Sequence, residues 1–510
     1  MPLVFPENAH THLIDELGLV DFLNKFQAPV PILGKTLLKP LKESDARDHF
    51  ESLKNLDQKI HQSNLNALKM LQFTQKLPCL DAVFTAFQNQ NLEQYELRIL
   101  AEFLSIELHL LKLESSFSAI DDEESLLSTM LTILDKTLEN GYEFIRGNEN
   151  LKLLQIRLEN IDNEFDSKIS MIEKRIFSET GLKIAYPNPR ERIDIDDSVL
   201  ESLKDCSLVS VTEESQRIII EVKLPLDLER LEQDRKQALL EFEGEVQQIL
   251  RSVNSKFSPL VERFEEHYSK RKARAFEYLL LATAQESDLV LPQLTHDPIL
   301  EISHGKLPIL SDRKEDYLPL DLSLEQNVQV LVGPNMTGKT TILKTLYFLL
   351  FLTRHGLPVP ARKMRLKLPS ELFLHLPNPG DLQKNLSALG DELEFWAREF
   401  PKNSLVLVDE LFQSTDPVSG AQLSKIFLEE FRNSGIFLLV TSHYSQVLKV
   451  SGLRFLRMKN YGGPVPFQPE TEPLSGIESE VLKSTLDFQL PDRVIDRIKK
   501  RIQRLQKTEK

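Results

Sequence analysis

One string limits what this chain can fold into: Gly333-Pro334-Asn335-Met336-Thr337-Gly338-Lys339-Thr340, which fits G-x-x-x-x-G-K-[ST]. The pattern carries meaning only between a strand and a helix. Ahead of it, Val328-Gln329-Val330-Leu331-Val332 is an apolar, β-branched run that reads as a buried parallel strand. Behind it, Thr341 to Leu352 has helical length and no Gly or Pro. Such a loop wraps backbone N–H groups around phosphate, and the helix presents its positive end to the same anion. Lys339 then reaches the β- and γ-phosphates, and the Thr340 hydroxyl ligates Mg²⁺. The candidate contacts to ATP are these residues and Thr341.

A phosphate loop by itself says only that a nucleotide binds, so the residues that follow decide the chemistry. Leu405-Val406-Leu407-Val408-Asp409-Glu410 is an apolar strand ending in two carboxylates. At the end of a parallel strand beside the phosphate loop, Asp409 holds Mg²⁺ through water while Glu410 aligns or deprotonates the attacking water. Leu438-Leu439-Val440-Thr441-Ser442-His443 is a third strand, whose His443 either contacts the γ-phosphate or serves the structure alone. Between the carboxylates and the phosphate loop, Ser387 stands near the start of a helix carrying Leu393, Phe395 and Trp396. Its hydroxyl either caps that helix or meets an anion, in the latter case across a dimer.

The rest of the chain is mostly helical in pattern. At 510 residues it needs more than one core, and 41% hydrophobic with 27% charged residues is ordinary for a globular protein. A formal net charge of −15 excludes a uniformly basic coat, so any polyanion contact is regional. Cys79 and Cys206 make no disulfide framework, and the first residues, Met1-Pro2-Leu3-Val4-Phe5-Pro6, do not read as a signal peptide. The most apolar run, Leu346 to Leu352, is far short of the ~20 residues that span a bilayer, so no membrane partner and a cytoplasmic location are expected.

Five segments follow. Residues 1–180 are helical, with stripes such as Leu126, Met130, Ile133, Leu134 and Leu138. Residues 181–226 are a small strand-bearing insertion, with strands expected at Leu208–Val211 and Arg217–Val222. Residues 227–290 resume as a long charged helix from Leu226, kinked at Pro259. On it, Lys270, Arg271, Lys272 and Arg274 form either a phosphate contact or a solvated face. Residues 291–475 hold the nucleotide motifs, and 476–510 end in a helix with Val494, Ile498, Ile502 and Leu505 on one face, read as a dimerisation seam.

Together these residues resemble the MutS family of ABC-type ATPases. Gly333 to Thr340 is similar to that family's G-P-N-M-x-G-K-[ST] loop, and Val408-Asp409-Glu410-Leu411 to its D-E-[IL] strand end. Thr441-Ser442-His443-Tyr444 resembles its T-H-Y motif, and Ser387, five residues before Glu392, sits where the family has its signature serine. Gly18 to Leu23, Gly34 to Leu41, His296 to Glu301 and Leu490 to Ile495 are similar to its core opening, ATPase entry and C-terminal helix-turn-helix.

The resemblance implies an α/β ABC-type P-loop ATPase domain towards the C-terminus. A mainly α-helical core and lever region precedes it, with a small β-containing clamp-like insertion. It also implies a homodimer with two composite sites, in which Ser387 of one subunit closes in trans on ATP and Mg²⁺ held by the other, and a clamp that encircles DNA. The catalytic set is then Glu410, His443 and Lys339, and the metal set Thr340 and Asp409.

Some features depart from the family. No mismatch-reading domain is expected before residue 15 and no Smr nuclease region after the ATPase domain. Ala388-Leu389-Gly390 replaces T-F-M, and Leu307-Pro308-Ile309 stands where an adenine-stacking aromatic is common. The short clamp is acidic, with Glu191, Asp194, Asp196, Asp197, Glu201, Asp205, Glu213, Glu214 and Glu221, whereas a phosphate-gripping surface should be basic. The first reading is an ATP-hydrolysing dimeric clamp on DNA, mismatch-repair-like or recombination-related, without direct mismatch reading. The alternatives are an ATPase acting on RNA, ribosomes or a protein partner, and a non-hydrolysing, ATP-gated dimerisation module.

Overall fold

The computed structural model describes residues 3–4 and 14–467, except 15, 27, 35, 116–120, 140–143, 147, 187–189, 193–196, 215–216, 313–316, 326–327, 333–337, 377–384, 433, 443, 445–446, 449 and 459–463. Two compact units form: residues 1–76 with 270–510, and residues 77–269. The N-terminal helices thus divide between units, where the sequence segments kept residues 1–180 together. The cause is packing of the early chain on the nucleotide-binding half. Phe22 meets Phe348 edge-on at 5.3 Å, Lys344 pairs with Glu16 at 2.7 Å, and the Leu41 N–H donates to the Arg354 carbonyl at 2.7 Å.

The first long helix, α1 (Glu43–Gln62), buries Ala46, Phe50, Leu53, Leu56 and Ile60, a stripe at three- and four-residue spacing. Glu43 and Asp45 in its first turn and Lys59 and His61 in its last suit the helix dipole.

In the second unit, α2 (Gln94–Glu114) starts at a capping box between Glu93 and Glu96, and α3 (Asp121–Thr137) follows. The long α4 (Glu149–Thr180) is capped by Asn148, whose side chain accepts the Leu151 N–H, and ends at Gly181 with φ 68. A three-stranded antiparallel sheet comes next: β1 (Arg190–Arg192), β2 (Val209–Glu214) and β3 (Arg217–Val222), with β3 central and α5 (Asp197–Asp205) between β1 and β2. The insertion is strand-bearing as expected, but the α5 helix lay unread in the sequence among prolines and acidic residues. Ile176, Leu182, Ile184, Leu203, Cys206, Val209 and Ile220 form its core, each such side chain contributing roughly 1.5–3 kcal/mol.

The chain returns along α6 (Leu226–Phe257), antiparallel to α4. The pairing order gives the direction: Asn148 to Glu245, Arg157 to Glu241, Asp162 to Arg235 and Lys168 to Asp227. The helix breaks at Ser258–Leu260, around Pro259, and resumes as α7 (Val261–Glu286). Neither expectation for the basic run on α7 describes Arg271, which is buried; Arg274 pairs with Glu277 at 3.0 Å.

In the first unit, β4 (Ile299–Gly305) pairs antiparallel with β5 (Leu320–Glu325) in a four-stranded sheet completed by residues 363–366 and 293–294. The larger sheet contains β6 (Val328–Val332), after which comes helix α8 (Lys339–Arg354). Its other strands are β7 (Leu372–His375), β8 (Leu405–Val408), β9 (Phe437–Ser442), β10 (Arg454–Met458) and β11 (Pro464–Phe467).

Across this sheet the order is β7-β8-β9-β6-β10-β11, parallel except for the last pair. Strands buried on both faces read as continuous apolar runs, as Leu405 to Val408 and Phe437 to Val440 do. Helices α9 (Asn385–Trp396) and α10 (Pro417–Phe431) pack Leu393, Trp396, Leu423 and Phe427 against Val330, Val406, Val408 and Val440. Helix α8 is buried almost all round, from Ile342 through Thr353. Among the described residues no helix is long and apolar enough to cross a membrane.

Candidate nucleotide site

Parallel strands release the chain at one end of the sheet, so whatever follows β6, β8 and β9 is gathered there. After β6 the described chain resumes at Gly338, whose φ of 92 is a left-handed conformation that only glycine adopts without strain. Lys339 opens α8 and is buried. Burial pushes its pKa down, and the charges of Glu410 and then Asp409 oppose that. A cation at the positive end of a helix is unfavourably placed unless anions face it. The lysine and the helix end together favour an anionic ligand, and the facing carboxylates call for a cation beside it.

Next along α8, the Thr340 hydroxyl donates to Asp409 Oδ2 at 2.5 Å. The other carboxylate oxygen, Oδ1, accepts from the Thr441 hydroxyl at 2.7 Å. That same Thr441 oxygen accepts the Glu410 N–H at 2.7 Å, so one buried hydroxyl links both carboxylate residues. Strand β9 lies between β6 and β8, and this interposition is what delivers Thr441 to Asp409.

Glu410 and Phe412 both have left-handed backbone, φ 54 and 53, a strain of order 1–3 kcal/mol per residue that surrounding structure must hold in place. The holding groups are specific. The Leu411 N–H donates to the Thr441 carbonyl at 3.1 Å, the Phe412 N–H to Glu392 Oε1 at 2.7 Å, and the Tyr444 hydroxyl to the Phe412 carbonyl at 2.8 Å. Burial pushes the Glu392 pKa up to about 7, against the hydrogen bond from the Phe412 N–H, which pulls it down. Asp416 caps α10 by accepting from the Val418 and Ser419 N–H groups.

Of the residues singled out in the sequence, Gly338, Lys339, Thr340 and Thr341 sit at the start of α8, and Lys339 and Thr340 meet the Asp409–Glu410 pair. Gly333, Pro334, Asn335, Met336, Thr337 and His443 lie outside the described residues. Ser387 is on α9, with its side chain outside the description. Sequence reasoning gave no role to Thr441, Glu392, Tyr444 or Gly420. The first three stood inside motif strings that were read for their neighbours.

Magnesium takes oxygen ligands, and the Thr340 hydroxyl and Asp409 carboxylate bring two oxygens together at the end of the sheet, so the donor set fits it.

A parallel sheet with a buried lysine and a threonine opening the helix after one strand, and paired carboxylates ending another, fits a nucleotide-binding domain. Over its nucleotide-motif half the chain is similar to the MutS family. Residues 329–506 match the family model for MutS domain V, which is an ABC-type ATPase domain. Among curated proteins it is similar to Endonuclease MutS2 of Clostridium botulinum (strain Loch Maree / Type A3), 25% identical over 425 residues, 81% of this chain and 51% of the relative. It is also similar to Endonuclease MutS2 of Clostridium acetobutylicum, 27% identical over 251 residues, 48% of this chain and 32% of the relative. The chain spans about half the length of the first of these relatives.

Proposed function

We propose that the chain is a MutS-type ATPase that converts ATP and water to ADP and phosphate and couples this to a nucleic acid, DNA in the first instance. The observation that carries the reading is the hydrogen-bonded run Thr340–Asp409–Thr441–Glu410 N–H at the carboxyl ends of parallel strands. It gathers two metal-ligand oxygens and a second carboxylate next to a buried lysine.

In this reading residues 333–341 cradle the phosphates and Lys339 neutralises the β- and γ-phosphate charge. Thr340 and Asp409 would hold Mg²⁺, which when bound would screen charge on the phosphate oxygens. Glu410 aligns the attacking water and takes its proton, and His443 contacts the γ-phosphate. Two copies pair so that Ser387 of one closes on the phosphate loop of the other, with residues 476–510 as a dimerisation seam. Residues 110–180 and 226–285, which include the antiparallel pair of α4 and α6, form the lever, the insertion at 181–226 the clamp, and the protein works in the cytoplasm.

DNA as the target is supported by the relatives' name, which describes an activity on nucleic acid. The acidic side chains of the insertion oppose any phosphate backbone there and favour one alternative, a protein partner, while a target on RNA or ribosomes would have to be met elsewhere on the chain. The deciding experiment is Mg²⁺-ATP turnover with and without duplex DNA, branched DNA and RNA at fixed salt. Stimulation by DNA, with retention that weakens steeply as salt rises, supports the reading. Turnover unaffected by DNA but raised by RNA overturns the DNA target, and no turnover in the wild type overturns the ATPase.

A further inference from the structure

Glu392 has no part in the chemistry just described, yet it is a carboxyl only 3% exposed. Burying such a group is costly unless its hydrogen bonds are made, and an apolar side chain would fill the space at less cost. What it holds is therefore informative. Its Oε1 accepts the N–H of Phe412 at 2.7 Å, and the carbonyl of that residue accepts from the Tyr444 hydroxyl at 2.8 Å. Phe412 is thus gripped at its N–H and its C=O, and its ring is fully buried, 5.0 Å from Phe427.

The other end of the turn is fixed as well. The Glu410 N–H is held by Thr441, and only Leu411 separates it from the gripped Phe412, so the left-handed dihedrals of Glu410 are bracketed on both sides. Gly420 on α10 completes the arrangement. A Cβ there would lie 2.3 Å from the Tyr444 hydroxyl and 2.6 Å from the Phe412 carbonyl oxygen, so a side chain would break the grip.

We propose that Glu392 is a positioning residue for hydrolysis: through the Phe412 N–H it fixes the backbone that aims Glu410. It thereby ties α9, the helix of Ser387, to the carboxylate that activates water. The inference rests on the ATPase reading above and adds a route within one chain from the signature helix to the reacting water. Glu392 acts through the backbone and touches neither nucleotide nor metal.

Steady-state Mg²⁺-ATP turnover by the full chain, for wild type, Glu392→Gln and Glu392→Ala, tests it. Because a misaligned catalytic group can cost up to about 100-fold, Glu392→Ala should lower kcat by roughly tenfold or more, with KM for ATP changed less than about twofold. Glu392→Gln keeps an acceptor oxygen for the Phe412 N–H and should restore kcat to within about threefold. Should Glu392→Ala fail to fold, Tyr444→Phe loosens the same peptide from its other end and should show the same fall in kcat at constant KM.

An unchanged kcat in Glu392→Ala, a fall matched by a rise in KM, or a Glu392→Gln as impaired as the alanine variant overturns the inference alone. If Glu392→Ala does not fold, an unaltered kcat in Tyr444→Phe does so. A wild type without turnover overturns the ATPase reading, and the inference with it.

Discussion

Thr340 and Asp409 lie 69 positions apart and meet through a 2.5 Å hydrogen bond. The helix after β6 and the end of β8 are thereby joined across the intervening strand β9. The bond brings together two oxygens of the kind Mg²⁺ prefers, so its loss should show first in the metal requirement. Thr340→Ala should raise the Mg²⁺ concentration for half-maximal turnover by about tenfold or more while the thermal midpoint moves little, because the residue is only part-buried. A magnesium titration of turnover, paired with a melt, checks it.

Glu410 should act on water and not on nucleotide. Glu410→Gln removes the base and keeps the size of the side chain, so kcat should drop by about 10²–10⁴-fold with ATP affinity retained. Equilibrium binding of a fluorescent ATP analogue beside single-turnover hydrolysis separates the two effects. Equal loss of both would remove Glu410 from that role.

Gly420 faces one polar tip and one backbone oxygen that cannot yield. With a Cβ at 2.3 and 2.6 Å from them, Gly420→Ala should destabilise the unit by about 1–3 kcal/mol, read by denaturant unfolding. Restoring room with the double variant Gly420→Ala, Tyr444→Phe should recover part of that loss, because the Phe412 oxygen still obstructs.

Glu392 has its pKa raised to about 7 from 4.5, so between those values the folded chain holds a proton that the unfolded chain has released. Stability from this group is full below about pH 4.5 and is lost as pH rises through about 7, by at most roughly 3 kcal/mol. Glu392→Gln should abolish that loss in unfolding free energies measured from pH 5 to pH 8. A wild type and variant with parallel profiles would contradict it.

His355 works in the opposite sense. Its Nδ1–H donates to the Phe351 carbonyl at 2.7 Å, and burial lowers its pKa to about 4. Below pH 6.5 the unfolded chain takes up a proton that the folded one refuses, so stability falls as pH drops through that range, again by at most roughly 3 kcal/mol. Between about pH 4.5 and 6.5 the two residues oppose each other. Glu392→Gln alone should then expose a stability that climbs with pH, and His355→Gln alone one that declines.

Much of the nucleotide site was legible because its elements are contiguous strings. A strand, loop and helix around Lys339 and a strand ending in Asp409 and Glu410 announce themselves by period and by polar residues at the strand ends. Lateral order was not legible. Nothing in the spacing says that β9 separates β6 from β8, and so nothing disclosed Thr441 as the partner of Asp409. Glu392 was hidden differently: a carboxylate on a helix reads as solvent-facing until the chain returns over it, and the peptide it holds is 20 positions away.

The helical arm was legible in outline and not in its allegiance. The break at Pro259 follows from a missing donor and a ring clash, both local. That residues 1–76 fold with the second half of the chain depends on contacts such as Phe22 on Phe348, which no local pattern encodes. The small α5 helix was masked by the prolines and acidic residues around it, which argued for loop.

Helix α8 is walled in by neighbours along nearly its whole length, with Leu346, Phe348, Leu349, Leu350 and Leu352 shut off from water. A rod clamped that tightly is an anvil and not a piston. On the ATPase reading, any stroke would fall to the pieces arranged around its tip, recoiling against a fixed base.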